Sequence, residues 1–259
     1  MTPRVVLFSG GAASWAAAKR TVLAHGADAV TLLFTDTRTE DEDLYRFLDE
    51  AAADVGAPLV KIADGRDIWQ VFRDVRFLGN TRADPCSRIL KRDLSRAWIA
   101  DNAPDATVVL GFDWTEMHRA ERAAKAWAPT VTEFPLTEPP YRLKAEVLAE
   151  LTARGIDPPR LYRMGFEHNN CGGGCVKAGI GHFAQLLRVF PARFAEWEAH
   201  EEEMRTYLDA NVSILRSRVG GETHPFTLRV LREMAEAGEI HQGDLWDFGG
   251  CACFEEPEQ

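Results

Sequence analysis

No run of apolar residues in the 259-residue chain approaches the roughly 20 needed to cross a bilayer, which argues against a membrane span. The opening residues, MTPRVVLFSGG, lack a long apolar core and a small-residue cleavage site, so no secretory signal is read there and a cytoplasmic location is expected. Excess positive charge is lacking as well. Thirty Lys and Arg stand against 40 Asp and Glu, a net charge of −10, the opposite of a general nucleic-acid-coating protein. Cysteine is scarce, with five residues at 86, 171, 175, 251 and 253. An odd, small set does not suit a disulfide framework, and in an intracellular chain close pairs read as metal ligands or redox groups. Two familiar phosphate-binding signatures are also missing: neither a Walker Gly-Lys-Ser/Thr nor a GxGxxG follows the first strand-like run.

What is present has a clear rhythm. RVVLF (4–8), AVTLLFTD (29–36), PLVKI (58–62) and ATVVLGFD (106–113) read as buried strands, with VTEFPL (131–136) as a candidate fifth. Helices are expected from about Ser14 to Ala24, across Leu44, Phe47, Leu48, Ala51, Ala52 and Val55, and near 87–102 and 116–127. Strand and helix in alternation predict an α/β fold, a parallel sheet flanked by helices with right-handed crossovers. Beyond LTEPPYR (136–142) strand-like runs disappear, and helices are expected at 143–154, 181–189, 191–209 and 225–237. The expected organisation is therefore a nucleotide-binding α/β domain over 1–138 and a helical, cysteine-containing C-terminal extension over 139–259 packed on it.

Chemistry concentrates at the strand ends. Ser9-Gly10-Gly11-x-x-Ser14 opens a helix after the first strand. Glycine permits positive φ and close approach of a ligand, and the N–H groups of a helix start favour an anion. Asp36 ends a parallel strand, on the edge where such sheets bind ligands; it could hold a ribose hydroxyl or Mg2+, or belong to a helix cap. Glu116, Arg119 and Arg122 fall three apart along one helix side, where guanidinium groups suit phosphate oxygens and a Glu116–Arg119 salt bridge is the plain alternative. Arg82, Arg88, Lys91, Arg92 and Arg96 form a basic cluster that could attract an anionic second substrate or be a solvated helix face. Cys171-x3-Cys175 and Cys251-x-Cys253 are wrapped in glycines, with His168 and His182 nearby. Four thiolates could close a zinc site or hold a [4Fe–4S] cluster, or all five could be buried small hydrophobes.

These segments resemble the PP-loop adenine nucleotide α-hydrolase superfamily, in particular the phosphoadenosine phosphosulfate (PAPS) reductase-like family. SGGAAS (9–14) is similar to its pyrophosphate-binding loop, with Ala13 in place of the usual aspartate. FTDTRTEDEDLYRF (34–47), DPCSRILKRDL (84–94), GFDWTEMHRAER (111–122) and PYRLKAEVLAELTARGIDPPRLYRMGFEHNNCGGGC (140–175) follow in the family's order. Ser87 replaces the second cysteine of the usual pair, and Asp93-Leu94 stands for Pro-Leu.

The resemblance implies ATP or a related adenine nucleotide, with Mg2+, held by Ser9, Gly10, Gly11, Ser14, Asp36, Thr37 and Gly111. Glu116 with Arg119 or Arg122 would serve the leaving pyrophosphate. Relatives of the iron–sulfur type place a cluster at positions matching Cys86, Cys171 and Cys175, with Cys251 or Cys253 as a further ligand. The implied activity is adenylylation of a substrate with release of pyrophosphate, linked to sulfur transfer. Two alternatives stay open, a sulfonucleotide reductase and a non-catalytic nucleotide-binding protein with structural zinc. The implied partners are an anionic second substrate, which could be nucleic acid, and a sulfur or electron donor protein; a homodimer is compatible with the reading. The reductase reading is weakened because no Glu-Cys-Gly-Leu-His segment is present.

Overall fold

The computed structural model describes residues 2–240 and Gly249. Five parallel strands form the central sheet: β1 (Arg4–Leu7), β2 (Val30–Asp36), β3 (Leu59–Ala63), β4 (Thr107–Val109) and β5 (Thr132–Glu133). Their spatial order is β3-β2-β1-β4-β5, so the candidate fifth strand is real and β1 is central. The chain moves outward from β1 to β3, then returns to the other side of β1. That reversal leaves a crevice between the carboxyl ends of β1 and β4, the place where open α/β sheets bind ligands.

Alternation along β1 assigns the two faces. Val6 and Phe8 join α1 (Ala12–His25), α2 (Glu42–Val55) and α7 (Lys144–Ala153) in one buried cluster. Val5 and Leu7 join α5 (Leu94–Asn102) and α6 (Met117–Trp127) in another on the opposite face. All six expected apolar positions of α2 are buried, and Asp41 caps its start by accepting the Asp43 N–H at 3.0 Å. Val147 and Leu151 of α7 thus belong to the sheet's own core, although they lie beyond residue 139.

A third cluster gathers α3 (Ile68–Asp74), the short α4 (Pro85–Ser87), α8 (Arg160–Arg163), α9 (Ile180–Val189), α10 (Pro191–Leu208) and α11 (Leu228–Ala237). The expectation that strands cease after 142 is overturned. An antiparallel hairpin, β6 (Leu215–Val219) with β7 (Glu222–Phe226), sits between α10 and α11. Its Gly220-Gly221 turn has φ of +61° and +87°, the positive values that two-residue hairpin turns demand. The strands escaped notice because Arg, Ser, Thr and His fill them and no apolar run marks them.

Candidate active site

A cleft of about 550 Å3 opens at the β1/β4 crevice. Its floor is the turn from β1 into α1. Gly10 has φ +76°, and a Cβ there would meet Leu44 Cδ1 at 2.4 Å, so only glycine fits. Gly11 is the N-cap of α1 and supplies no side-chain acceptor, and the first turn carries no acidic residue. The helix start therefore keeps its positive end for a ligand. Ser9 and Ser14 line the cleft beside it, and Ser14 Oγ donates to the Gly11 carbonyl at 2.8 Å, which shapes the turn.

Gly111, just after β4, packs on that turn from the other side. A Cβ at 111 would stand 3.0 Å from Ala13 C, Ala13 O and Ser14 N. Asp113 then caps the turn Trp114–Glu116 by accepting the Thr115 N–H at 2.8 Å and its hydroxyl at 2.6 Å. Glu116 and Arg119 both line the cleft and are ion-paired, and Arg119 lies over the Phe112 ring at 4.8 Å. The salt bridge of the plain alternative is thus present, and it stands at the cleft.

The remaining wall comes from segments far along the chain. Arg142, Lys144, Tyr162, Glu167, His168 and Asn169 all line the cleft. Lys144 Nζ sits 4.6 Å from the Tyr162 ring centre, and Arg142 is ion-paired to Glu150. Arg20, from the third turn of α1, donates to the carbonyls of Pro135 and Glu138 at 2.8 Å. Burial and the neighbouring Arg142 guanidinium hold the Arg20 pKa below its ordinary value. The signal for these residues was the PYRLK and GFEHNN segments, which bear no chemistry-bearing spacing of their own.

His168 stacks on His182 with ring centres 4.5 Å apart, and His182 Nε2 bonds the Gly173 carbonyl at 2.9 Å. Both nitrogens of His168 and Asn169 Oδ1 are buried without a protein partner. Burial pushes His168 down to about 3, helped by the charges of His182, Lys144, Lys91 and Arg119. It pushes His182 to about 4 against the opposing Gly173 bond. Both rings are neutral at neutral pH.

Several expected site residues lie elsewhere. Asp36, Thr37 and Arg122 do not line the cleft, and Gly10 shapes the turn from beneath without lining it. The Asp36 carboxylate accepts the Tyr45 hydroxyl at 3.0 Å and the Arg38 N–H at 2.8 Å. Thr37 is buried and donates to Glu40 Oε1 at 3.0 Å. The basic cluster is divided: Arg82 and Arg88 are exposed and Arg96 half-buried, but Lys91 and Arg92 are not. A π-helical turn, Arg88–Asp93, carries Lys91 and Arg92 inward, where they are buried against Glu40 at 3.3 Å and Asp84 at 3.8 Å. Arg88 and Arg96 pair with Asp93 at 3.5 and 3.6 Å.

Cys86, Cys171 and Cys175 are buried in the same apolar cluster. Among the described residues no three His, Cys, Asp or Glu side chains converge as metal ligands, so these residues alone complete neither an iron–sulfur cluster nor a zinc site. Cys251 and Cys253 lie outside the described residues. The Cys171 turn is firmly held: Glu40 Oε2 accepts the Cys171 N–H at 2.7 Å, and Arg193 donates to the Gly172 carbonyl at 2.5 Å. Gly249 forms an antiparallel bridge to Ala178, three residues after Cys175.

A central β1, a β1–β4 switch point and a glycine turn into α1 are the features of a Rossmann-like α/β fold, a parallel sheet flanked by helices as expected from the sequence. Solved structures of similar fold include the PAPS reductase from Candida auris in a phosphate complex, at 15% identity and TM-score 0.46 over 65% of this chain and 81% of that one. They also include the NH3-dependent NAD synthetase from Campylobacter jejuni in complex with the nitrate ion, at 12% identity and TM-score 0.41 over 80% of this chain and 84% of that one. The likeness is one of fold. No protein-family model matches the chain, and no curated protein matches it in sequence. Among the described residues no helix is long and apolar enough to cross a membrane.

Proposed function

We propose that the protein is a PAPS-reductase-like PP-loop enzyme that binds ATP in the β1/β4 cleft and transfers its adenylyl group to a second substrate. The observation that carries this reading is the uncapped start of α1, open to a cleft whose other wall supplies Arg119, Arg142 and Lys144. An acceptor oxygen would form a bond to the α-phosphorus while the α–β bridging oxygen departs with the bonding pair as pyrophosphate. Backbone N–H groups at Gly11–Ser14, with the Ser9 hydroxyl, would hold the phosphates. Arg119, kept in place by Glu116 and Phe112, would offset charge growing on the leaving group. Lys144 would do the same from α7.

Sulfur transfer is the further part of the reading. Cys86, Cys171 and Cys175 share one cluster, and Gly249, two positions before Cys251 in sequence, lies against Ala178. Both facts support a thiol set completed from the C-terminal segment. The described thiols do not complete a metal site, so no step is derived through one.

Incubation with α-labelled ATP tests the proposal. AMP-linked label and pyrophosphate are expected, with loss of both in Arg119→Gln and of ATP binding in Gly10→Ala. ADP and orthophosphate as products would overturn it. Ala13, at the cleft where the resembled loop carries aspartate, favours a second reading, binding without turnover. Tight ATP binding with no pyrophosphate decides for that one.

A further inference from the structure

The mouth of the cleft carries an aromatic pair that the nucleotide reading does not use. Trp114 is 38% exposed and Tyr141 56%, with ring centres 5.7 Å apart and planes at 45°. Trp114 belongs to the turn capped by Asp113, and its Nε1 donates to the Arg142 carbonyl at 3.3 Å. The one polar atom of the indole is thereby satisfied, and its orientation is fixed without covering its face. The residues flanking both rings, Asp113 and Thr115 on one side and Arg142 on the other, line the cleft itself. Leu143, also a cleft residue, is 57% exposed.

Two partly exposed aromatics in contact at a cleft make a small contiguous apolar surface of the kind found along ligand-binding grooves. A rigid indole beside a tilted phenol presents flat surface at little entropic cost on binding. Flat rings stack on such a pair whatever their substituents, so the feature selects shape rather than charge. The surroundings refine the choice. The acidic chain as a whole does not suit indiscriminate binding of duplex, which favours a single unpaired ring.

We infer that Trp114 and Tyr141 form a stacking platform for a flat heteroaromatic ring of the second substrate, a nucleobase held unpaired beside the adenylyl donor. The inference rests on the adenylyl-transfer reading of the cleft. The ring comes either from a single strand or from a free nucleoside.

Binding is measured with ATP present at saturation, using a short labelled single-stranded oligonucleotide by anisotropy and free uridine by saturation-transfer NMR. The wild-type chain is expected to bind at least one of the two. Trp114→Ala should weaken that binding about 5- to 150-fold, and Trp114→Phe, which keeps a ring, by no more than about threefold. ATP affinity should be unchanged in both variants. Binding of the oligonucleotide alone assigns the ring to a strand, and binding of uridine assigns it to a free nucleoside; either supports the platform. No binding of either probe, equal binding by Trp114→Ala, or an equal loss of ATP affinity in that variant overturns it, the last because the rings would then serve the donor's own base. Failure of the nucleotide reading shows separately, as absence of ATP binding by the wild-type chain.

Discussion

Asn169 Nδ2 donates to the carbonyl of Gly10, 159 positions earlier in the chain, at 3.2 Å. This bond closes the glycine turn after β1 against the segment that leads into Cys171. It leaves Asn169 Oδ1 buried and without a partner. A buried polar atom kept unsatisfied costs about 1–3 kcal/mol and is retained where something else meets it. Asn169→Ala should therefore weaken ATP binding about tenfold or more while lowering stability by only about 1 kcal/mol. Calorimetric titration and urea melts of the same variant separate the two effects, and an unchanged affinity would remove Asn169 from the site.

Gly111→Ala addresses the opposite wall of the turn. The new methyl would press at 3.0 Å on backbone atoms of Ala13 and Ser14, which cannot swing aside as a side chain does. The fold should survive, because the contact is tight rather than overlapping, and ATP affinity should drop by an order of magnitude. A melting curve and an affinity both equal to wild type would show that the turn yields freely.

Glu40 and Lys91 test the buried frame under the site. Their side chains are 2% and 5% exposed, and the same carboxylate also serves Thr37 and the Cys171 N–H. Glu40→Ala should cost about 3–5 kcal/mol, because a buried cation loses its carboxylate and the Cys171 turn loses its anchor. The double variant Glu40→Ala, Lys91→Met should recover part of that loss. Additive costs in the double-mutant cycle would show that the two do not interact.

How far the sequence foretold all this differs by feature. The parallel sheet, the turn at Gly10 and the helix stripe of α2 were legible because each is local: a buried strand is a run, a helix face is a period of three and four. Lys91 and Arg92 were not, since a charge looks solvated in sequence until a partner such as Glu40, 51 positions away, is brought to it. The cleft wall from Arg142 to Asn169 was hidden for the same reason. Its members carry no spacing of their own and converge only when α7 docks on α1. Asp36 shows the converse, a residue well placed by strand-end logic whose carboxylate Tyr45 already occupies.

The thiols give a compositional test. Protein purified without oxygen should contain iron and acid-labile sulfide if Cys86, Cys171 and Cys175 join C-terminal thiols, and both should fall in Cys171→Ala. Zinc without sulfide would make the cysteines structural. Absence of either metal, with ATP binding intact, would reduce the proposal to adenylyl transfer alone.

Glu201 and the stacked histidines set opposing pH dependences. Burial raises Glu201 from 4.5 to about 7, outweighing the N–H groups of Ile214 and Leu228 that its carboxylate accepts at 2.8 and 2.6 Å. The folded state thus keeps that proton after the unfolded chain has lost it, and the stability it confers fades as pH rises from 4.5 to about 7. His168 and His182 have folded values below 6.5, so their contribution is complete above 6.5 and fades as pH falls towards 4 and 3. Between about 4.5 and 6.5 the unfolded chain takes up two protons where the folded one takes up only the Glu201 proton. Stability should therefore rise with pH there by about 1.4 kcal/mol per unit, and turn over near the upper end of that window. Glu201→Gln should lower stability at the acid end of the window, since one of the two N–H groups loses its acceptor. It should also double the slope to about 2.7 kcal/mol per unit, because the opposing proton is gone while the histidines remain. Urea melts at three values across the window measure both slopes. Parallel lines for wild type and variant would mean that Glu201 is ionised in the folded state, its charge carried by the two backbone donors.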